Sequence, residues 1–79
     1  MKVTVKLYGT LQKLHPGYRH AEGIEADVPD GTTIAELFSL LNLPLDRHVS
    51  VIMDGRARKA EAIVFDGACL NVFQPMHGG

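Results

Sequence analysis

Two adjacent glycines, Gly78 and Gly79, are the last residues of the sequence, and they follow a stretch typical of a β-strand. Glycine has no Cβ and loses more backbone entropy on ordering than any other residue, so this pair adds nothing to a hydrophobic core. If the pair is functional, it serves a reaction at the carboxylate of Gly79, which an unhindered backbone can carry into a narrow cleft. The alternative is that the glycines are only a mobile chain terminus.

The cysteine and the histidines show no pattern of a metal site or a catalytic nucleophile. Cys69 is the single cysteine, which excludes an internal disulfide and any CxxC motif. His15, His20, His48 and His77 are scattered without the spacing of metal ligands, so we expect surface or loop positions for them and no metal site. Cys69 has two interpretations, a sulfur acceptor or a small apolar filler.

Length and charge narrow the class of protein further. The chain has 79 residues, 8 of them basic and 9 acidic, with a formal net charge of −1. This mixed charge gives no footprint for nucleic acid and no basic face for a membrane. The alternating start lacks an apolar signal core, and we expect a cytoplasmic protein. No catalytic constellation is visible.

Two strands are predicted in the first third of the chain. Residues 2–8 alternate apolar and polar side chains, which places Val3, Val5 and Leu7 on one face. Residues 24–28 alternate in the same way. The connection between these strands is broken by Pro16-Gly17 and has room for one helical turn over 10–14.

A short amphipathic helix is predicted next. Thr33 is followed three residues later by Glu36, the spacing of a capping box. Asn42 is a plausible stop, and Pro44 cannot continue the helix. The apolar stripe at i, i+3, i+4 and i+7 consists of Ile34, Leu37, Phe38 and Leu41.

The remaining residues predict a hairpin and a final strand. Asp54-Gly55 is typical of a tight hairpin turn, and Asp66-Gly67 of a second turn after an irregular stretch. In the final strand we expect Leu70 and Val72 to face inward, with Phe73 on the other face alongside Cys69 and Asn71. Pro75 ends the ladder because it has no N–H to donate.

These elements together predict an α+β fold with the β-grasp topology. One mixed sheet of four to five strands is covered by one main helix, and the last strand lies parallel to the first in mid-sheet. Residues 1–79 form a single domain, with a mobile tail from about residue 76 to residue 79.

The chain resembles the ThiS/MoaD family of small ubiquitin-like sulfur carriers over its whole length. The likeness rests on the order and spacing of "DVPDGTTIAELFSLL", "VIMDGR", "FDG" and "QPMHGG". The segment between the first two strands and the Pro75–Gly79 end slightly favour the MoaD-like branch. Two positions depart from the family pattern: Gln74 stands where a proline is usual, and Ala68 where an acidic residue is common.

The resemblance implies a specific chemistry for the C-terminus. A ubiquitin-activating-type adenylyltransferase uses ATP and Mg to adenylate Gly79, and sulfur from a desulfurase or rhodanese then converts the terminus to a thiocarboxylate. The sulfur is donated to cofactor biosynthesis, molybdopterin first and thiamine second, with a synthase large subunit as a further partner. The implied roles are activation at Gly78 and Gly79 and partner binding at Phe73, Pro75, Met76 and His77. The resemblance also implies no intrinsic cofactor and a protein that is not an enzyme but the co-substrate of the activating enzyme.

Two other classes of function stay open at this point. A ubiquitin-like modifier would be conjugated to other proteins through Gly79, and a plain β-grasp binding module would carry its glycines incidentally. Phe73 has two interpretations of its own: an aromatic anchor for a partner, or packing under a loop. The sequence does not identify the sulfur-accepting pathway, the oligomeric state or the role of Cys69.

Overall fold

The computed structural model describes residues 1–45 and 49–74 of the chain. Within these ranges one mixed sheet has the strand order β2-β1-β5-β3-β4. β1 and β5 are parallel at its centre, and the other neighbours are antiparallel. The elements are β1 (Lys2–Leu7), a 3₁₀ helix (Gly9–Leu14), β2 (Ile24–Asp27), α1 (Ile34–Leu40), β3 (Ser50–Met53), β4 (Arg56–Arg58) and β5 (Cys69–Phe73).

The inner face of the sheet, which α1 covers, carries the apolar positions that the alternation predicts. Because successive side chains of a strand point to opposite faces, each of the three central strands contributes every second residue. These side chains are at most 4% exposed: Val3, Val5, Leu7, Val51, Met53, Leu70 and Val72. The predicted phases of the first and last strands are therefore confirmed.

The helix α1 begins and ends as its sequence predicts. The Thr33 hydroxyl accepts a hydrogen bond from the Glu36 N–H at 3.2 Å, and Glu36 Oε1 accepts one from the Thr33 N–H at 2.9 Å. At the other end Asn42 adopts φ 57°, and the Leu43 N–H donates to the Phe38 carbonyl at 2.9 Å. This is a Schellman closure with asparagine in the left-handed position.

The buried stripe of α1 is shorter than predicted. Ile34, Leu37 and Phe38 are at most 1% exposed. Leu41 follows the helix and is only partly buried, packing against the edge of the core. The difference arises because the helix ends at Leu40, so the last predicted position belongs to the C-cap.

The long connection between β1 and β2 contains the helical turn that was predicted near residues 10–14. It is a 3₁₀ helix over Gly9–Leu14 whose Leu11 is buried in the core. The connection closes onto β1 at Gly23, which has φ 71°. A Cβ there would lie 2.9 Å from the Val5 carbonyl oxygen, so glycine is required by both backbone conformation and space.

Both predicted Asp-Gly turns are present. Asp54 and Gly55 have φ 55° and 78°, as in the type I′ turn of a two-residue hairpin, and they connect β3 to β4. At the second turn Asp66 Oδ1 accepts from the Lys2 N–H at 2.8 Å, and the Gly67 N–H donates to the Lys2 carbonyl at 2.7 Å. These bonds fix the start of β5 beside the start of β1.

The predicted mobile tail over about 76–79 lies outside the described residues and stays a prediction, as does the single-domain assignment. Backbone order parameters along the chain would measure the tail directly. Across residues 1–45 and 49–74, no helix combines the length and the apolar composition needed to cross a bilayer.

Candidate functional site

The candidate site is the C-terminal end of β5, on the face of the sheet opposite α1, which we call the outer face. Phe73 lies on the outer face, as predicted, and is 37% exposed. Its ring stacks on Tyr8, the residue that follows β1, with a centroid distance of 4.4 Å and an interplanar angle of 18°. The two rings form an aromatic platform (Tyr8 and Phe73) at the position where the chain leaves the sheet.

The platform is held in place by hydrogen bonds to β5. The Tyr8 N–H donates to the Val72 carbonyl at 3.0 Å, which continues the parallel ladder beyond Leu7. The Tyr8 hydroxyl donates to Asn71 Oδ1 at 3.0 Å. Because both the backbone and the hydroxyl of Tyr8 are bonded to β5, its ring has a defined position beside Phe73.

Tyr18 and His20 connect the β1–β2 connection to the end of β1 and to Tyr8 of the platform. The Tyr18 hydroxyl accepts from the Leu7 N–H at 2.8 Å, at a position of β1 that lies beyond its pairing with β2. Nδ1 of His20 lies 3.0 Å from the same hydroxyl. The His20 ring meets Tyr8 edge-on, with centroids 4.8 Å apart. His20 therefore packs against the Tyr8 ring of the platform.

Gln74 follows β5 directly and is the last residue of the described range 49–74. Its side-chain Oε1 accepts a hydrogen bond from the Thr10 hydroxyl at 3.0 Å. Thr10 belongs to the 3₁₀ helix that follows β1, and both side chains of this pair are exposed. The bond connects residues 64 positions apart in the sequence.

Of the residues predicted to bind partners or to be activated, the structure describes Phe73 alone. Its predicted face is confirmed, and its ring, which is 37% exposed, packs on Tyr8. Its role as a partner anchor stays a prediction. The other predicted site residues lie outside the described ranges and stay predictions: Pro75, Met76, His77, Gly78 and Gly79.

Cys69 lies at the opposite end of β5 from the platform, on the outer face as predicted. It is exposed, and it sits opposite Thr4 of β1. Because an exposed side chain fills no space in the core, the interpretation of Cys69 as a small apolar filler is wrong. A role as sulfur acceptor stays a prediction.

The described histidines are both in the β1–β2 connection. His15 is partly buried and His20 is exposed, in agreement with the predicted surface or loop positions. Among residues 1–45 and 49–74, no three side chains of histidine, cysteine, aspartate or glutamate cluster as they would around a metal ion. His48 and His77 lie outside these ranges.

The partners of Phe73 were missed from the sequence. Tyr8 could have been found, because it shares the outer-face phase of β1 and the parallel pairing brings it beside the end of β5. Tyr18 and His20 follow Pro16-Gly17 in a stretch without periodicity, where the sequence carries no signal for a contact with Leu7.

No family model matches the chain, and no curated protein matches it. Several solved structures are similar to it. SAMP1 of Haloferax volcanii has a TM-score of 0.77 and 19% identity, with all of both chains covered. A Pyrococcus furiosus protein assigned as molybdopterin converting factor subunit 1 has a TM-score of 0.76 and 20% identity, covering 95% of this chain and 98% of that one. Urm1 of Trypanosoma brucei has a TM-score of 0.72 and 18% identity, covering 99% and 95%.

The chain has the ubiquitin-like β-grasp fold. The predicted fold class is therefore confirmed, and the neighbours are ThiS/MoaD-type proteins, as the sequence resemblance implied. Identities of 18–20% establish the fold alone, so the chemistry must be argued from the site.

Proposed function

We propose that this protein is a sulfur carrier that is activated at the carboxylate of Gly79. The observation that carries the proposal is the end of β5: a central strand, fixed through Gln74, leads directly into a five-residue segment with Gly78 and Gly79 at its end. A ubiquitin-activating-type enzyme, with ATP and Mg, forms the acyl-adenylate and releases pyrophosphate. Sulfide can then displace AMP and leave a thiocarboxylate directly. When the donor is a protein persulfide, its attack displaces AMP and gives an acyl disulfide, and a thiol reductant then cleaves the S–S bond to leave the thiocarboxylate.

The glycines suit this reaction for a physical reason. A carboxylate oxygen must approach the α-phosphate of ATP in line with the leaving pyrophosphate, which is a problem of positioning. A Cβ on Gly78 or Gly79 would widen the segment that enters the cleft and restrict its backbone. The activating enzyme contributes the metal and the charge stabilisation, so the carrier itself needs no catalytic side chain.

The aromatic platform gives the activating enzyme a surface to bind beside the reacting segment. Tyr8 and Phe73 present two stacked rings with fixed geometry, and buried aromatic anchors of this kind dominate many interfaces. No charged side chain takes part in the stack, so an apolar pocket is the partner surface that fits it. Pro75, Met76 and His77 complete the proposed contact.

Cofactor biosynthesis is the proposed destination of the sulfur, with molybdopterin ahead of thiamine. The similarity to the Pyrococcus furiosus protein, assigned as a molybdopterin converting factor subunit, supports this order. The implied partners are a desulfurase or rhodanese as sulfur donor and the large subunit of a synthase as acceptor. A reduced cytoplasmic setting fits a thiocarboxylate and a free Cys69.

A second candidate function is a protein modifier conjugated through Gly79 to lysines of other proteins. It is favoured by the similarity to a Haloferax volcanii structure described as small archaeal modifier protein 1, with a TM-score of 0.77 and 18% identity. Both functions share the adenylation step and differ in the nucleophile that follows. A plain binding module, by contrast, would bind its partner equally well without its glycines.

Intact mass spectrometry after incubation with ATP, Mg, an activating enzyme and a sulfur donor tests the proposal. A sulfur carrier gains the mass of one oxygen-to-sulfur exchange on the free protein, whereas a modifier gives a series of heavier conjugates. The variant lacking Gly79 is the matched control and should show neither change. Unmodified protein with no pyrophosphate release, under conditions in which the enzyme activates a known carrier, would contradict both functions.

A further inference from the structure

Gln74 is held in place although it lies past the last backbone pair of β5. The final registered pair of the β3–β5 ladder joins Ser50 to Phe73, so no strand neighbour fixes the next residue. The Gln74 side chain is nevertheless bonded to the Thr10 hydroxyl at 3.0 Å. An exposed glutamine at this position would otherwise rotate freely about several single bonds.

The segment that carries Thr10 is itself fixed relative to β5. On one side of Thr10, the Tyr8 N–H donates to the Val72 carbonyl, and the Tyr8 ring stacks on Phe73. On the other side, Leu11 is 3% exposed and anchors the 3₁₀ helix in the core. Thr10 therefore presents its hydroxyl from a segment that is anchored on both sides, and the bond joins the Gln74 side chain to that segment.

We infer that Thr10 and Gln74 form a clasp that sets the length and starting direction of the segment presented for activation. This inference rests on the proposed function, and it makes both residues positioning residues. With Gln74 held, the five residues 75–79 can reach at most about 18 Å from the body of the protein. Opening the clasp frees Gln74, so a smaller fraction of encounters places the carboxylate at the nucleotide.

The size of the effect is bounded by the exposure of the clasp. A single hydrogen bond between neutral, exposed groups contributes little net free energy because water competes for both partners. We therefore expect Thr10→Val to raise KM for the carrier by about 2- to 5-fold and to leave kcat unchanged. Thr10→Ser keeps the donor and should retain the parent KM.

Two measurements on the same variants test the clasp. The first is the ¹⁵N order parameter of the Gln74 amide in the free protein, for the parent, Thr10→Val, Thr10→Ser, Gln74→Leu and the double variant Thr10→Val/Gln74→Leu. The second is ATP–pyrophosphate exchange with an activating enzyme, analysed for KM and kcat separately. Val is close to Thr in volume, so the packing of the 3₁₀ helix is preserved.

The expected result is a lower order parameter of the residue-74 amide in Thr10→Val and in Gln74→Leu, and the parent value in Thr10→Ser. In the double variant this order parameter should fall no further than in either single variant. An unchanged order parameter in Thr10→Val, or a KM that rises equally in Thr10→Ser, would overturn the inference. Failure of the proposed function has a different signature, since the parent itself would then show no exchange while the order parameters still respond.

Discussion

The two faces of the sheet carry different kinds of side chain, although the same strands form both faces. On the inner face β1 and β5 present aliphatic side chains that are almost fully buried under α1. On the outer face the alternate positions carry polar or aromatic groups, including Tyr8, Asn71 and Phe73, which contact one another through specific bonds. Strand alternation thus places the core-forming side chains and the hydrogen-bonded or stacked side chains on opposite faces of the same strands.

The kind of interaction differs as much as the residue type. Inner-face packing is non-directional and scales with the apolar area removed from water. Around the aromatic platform, side chains are joined by hydrogen bonds of about 3 Å and by a defined ring stack. The inner face therefore holds the hydrophobic core, and the outer end of β5 holds the aromatic platform at which we propose that the activating enzyme binds.

The largest expected effect is on activation without any effect on folding. Deletion of Gly79, or addition of one residue after it, should abolish ATP–pyrophosphate exchange. Deletion leaves the carboxylate short by up to about 3.5 Å of extended chain, an offset that in-line attack does not tolerate. Gly79→Ala should be harmful but milder, because it adds only a Cβ.

The thermal midpoint is the control for all three of these variants. We expect it to stay at the parent value, since the described hydrophobic core is built from side chains between Val3 and Val72 and a glycine has no side chain to contribute. If the truncated protein is adenylated as efficiently as the parent, the sulfur-carrier proposal is wrong and so is the modifier alternative.

The second expected effect is a loss of stability from a substitution that affects packing on the inner face only. Leu37→Ala should lower the free energy of unfolding by about 2–5 kcal/mol, because Leu37 is fully buried between helix and sheet. Leu40→Ala is the matched control: it removes the same atoms from the same helix at a side chain that is 64% exposed. Chemical denaturation of both variants gives the comparison, and equal losses would contradict the observed helix phase.

The inner face could be predicted from sequence because its signals are local. Alternation fixed the phase of β1 and β5, the Thr33–Glu36 spacing fixed the start of α1, and Asn42 indicated its end. Local patterns of this kind depend on backbone geometry that residues a few positions apart determine together.

Much of the outer site could not be predicted, for a physical reason. The phase of β5 placed Phe73 on the outer face and that of β1 could have placed Tyr8 there, but Thr10, Tyr18 and His20 come from a connection without periodicity. Tyr18 reaches Leu7, and Thr10 reaches Gln74, only after the chain has folded. Such side-chain bonds depend on tertiary geometry, and no local pattern in the sequence specifies them.

The third effect tests whether the outer face is a recognition surface. Phe73→Ala should raise KM for activation about tenfold, the size expected on losing one aromatic anchor of an interface. Phe65→Ala is the matched control, because Phe65 is also an exposed phenylalanine, 44% accessible, but lies in the β4–β5 connection. Steady-state exchange kinetics on both variants decide the matter. Equal KM values for the two variants would mean that the platform is structural only.

The smallest expected effect is a loss of stability on removal of the N-cap hydroxyl of α1, with no change in activation. Thr33→Ala removes the hydroxyl that accepts from the Glu36 N–H, while the Thr33 backbone keeps its own bond to the Glu36 carboxylate. Loss of half of a capping box should cost about 1 kcal/mol, which lowers the melting temperature of a domain this size by about 4–8 °C. Thr33→Ser keeps the acceptor oxygen and should melt close to the parent protein.

Activation should be the same in Thr33→Ala, Thr33→Ser and the parent at a temperature where all three are folded. The cap lies at the start of α1, on the opposite side of the sheet from Tyr8 and Phe73, and shares no hydrogen bond with the aromatic platform. A KM that changed with the cap would show that the two faces are coupled through the sheet. Equal KM values with unequal melting temperatures are the expected outcome, because alternate residues of β1 and β5 serve the two faces independently.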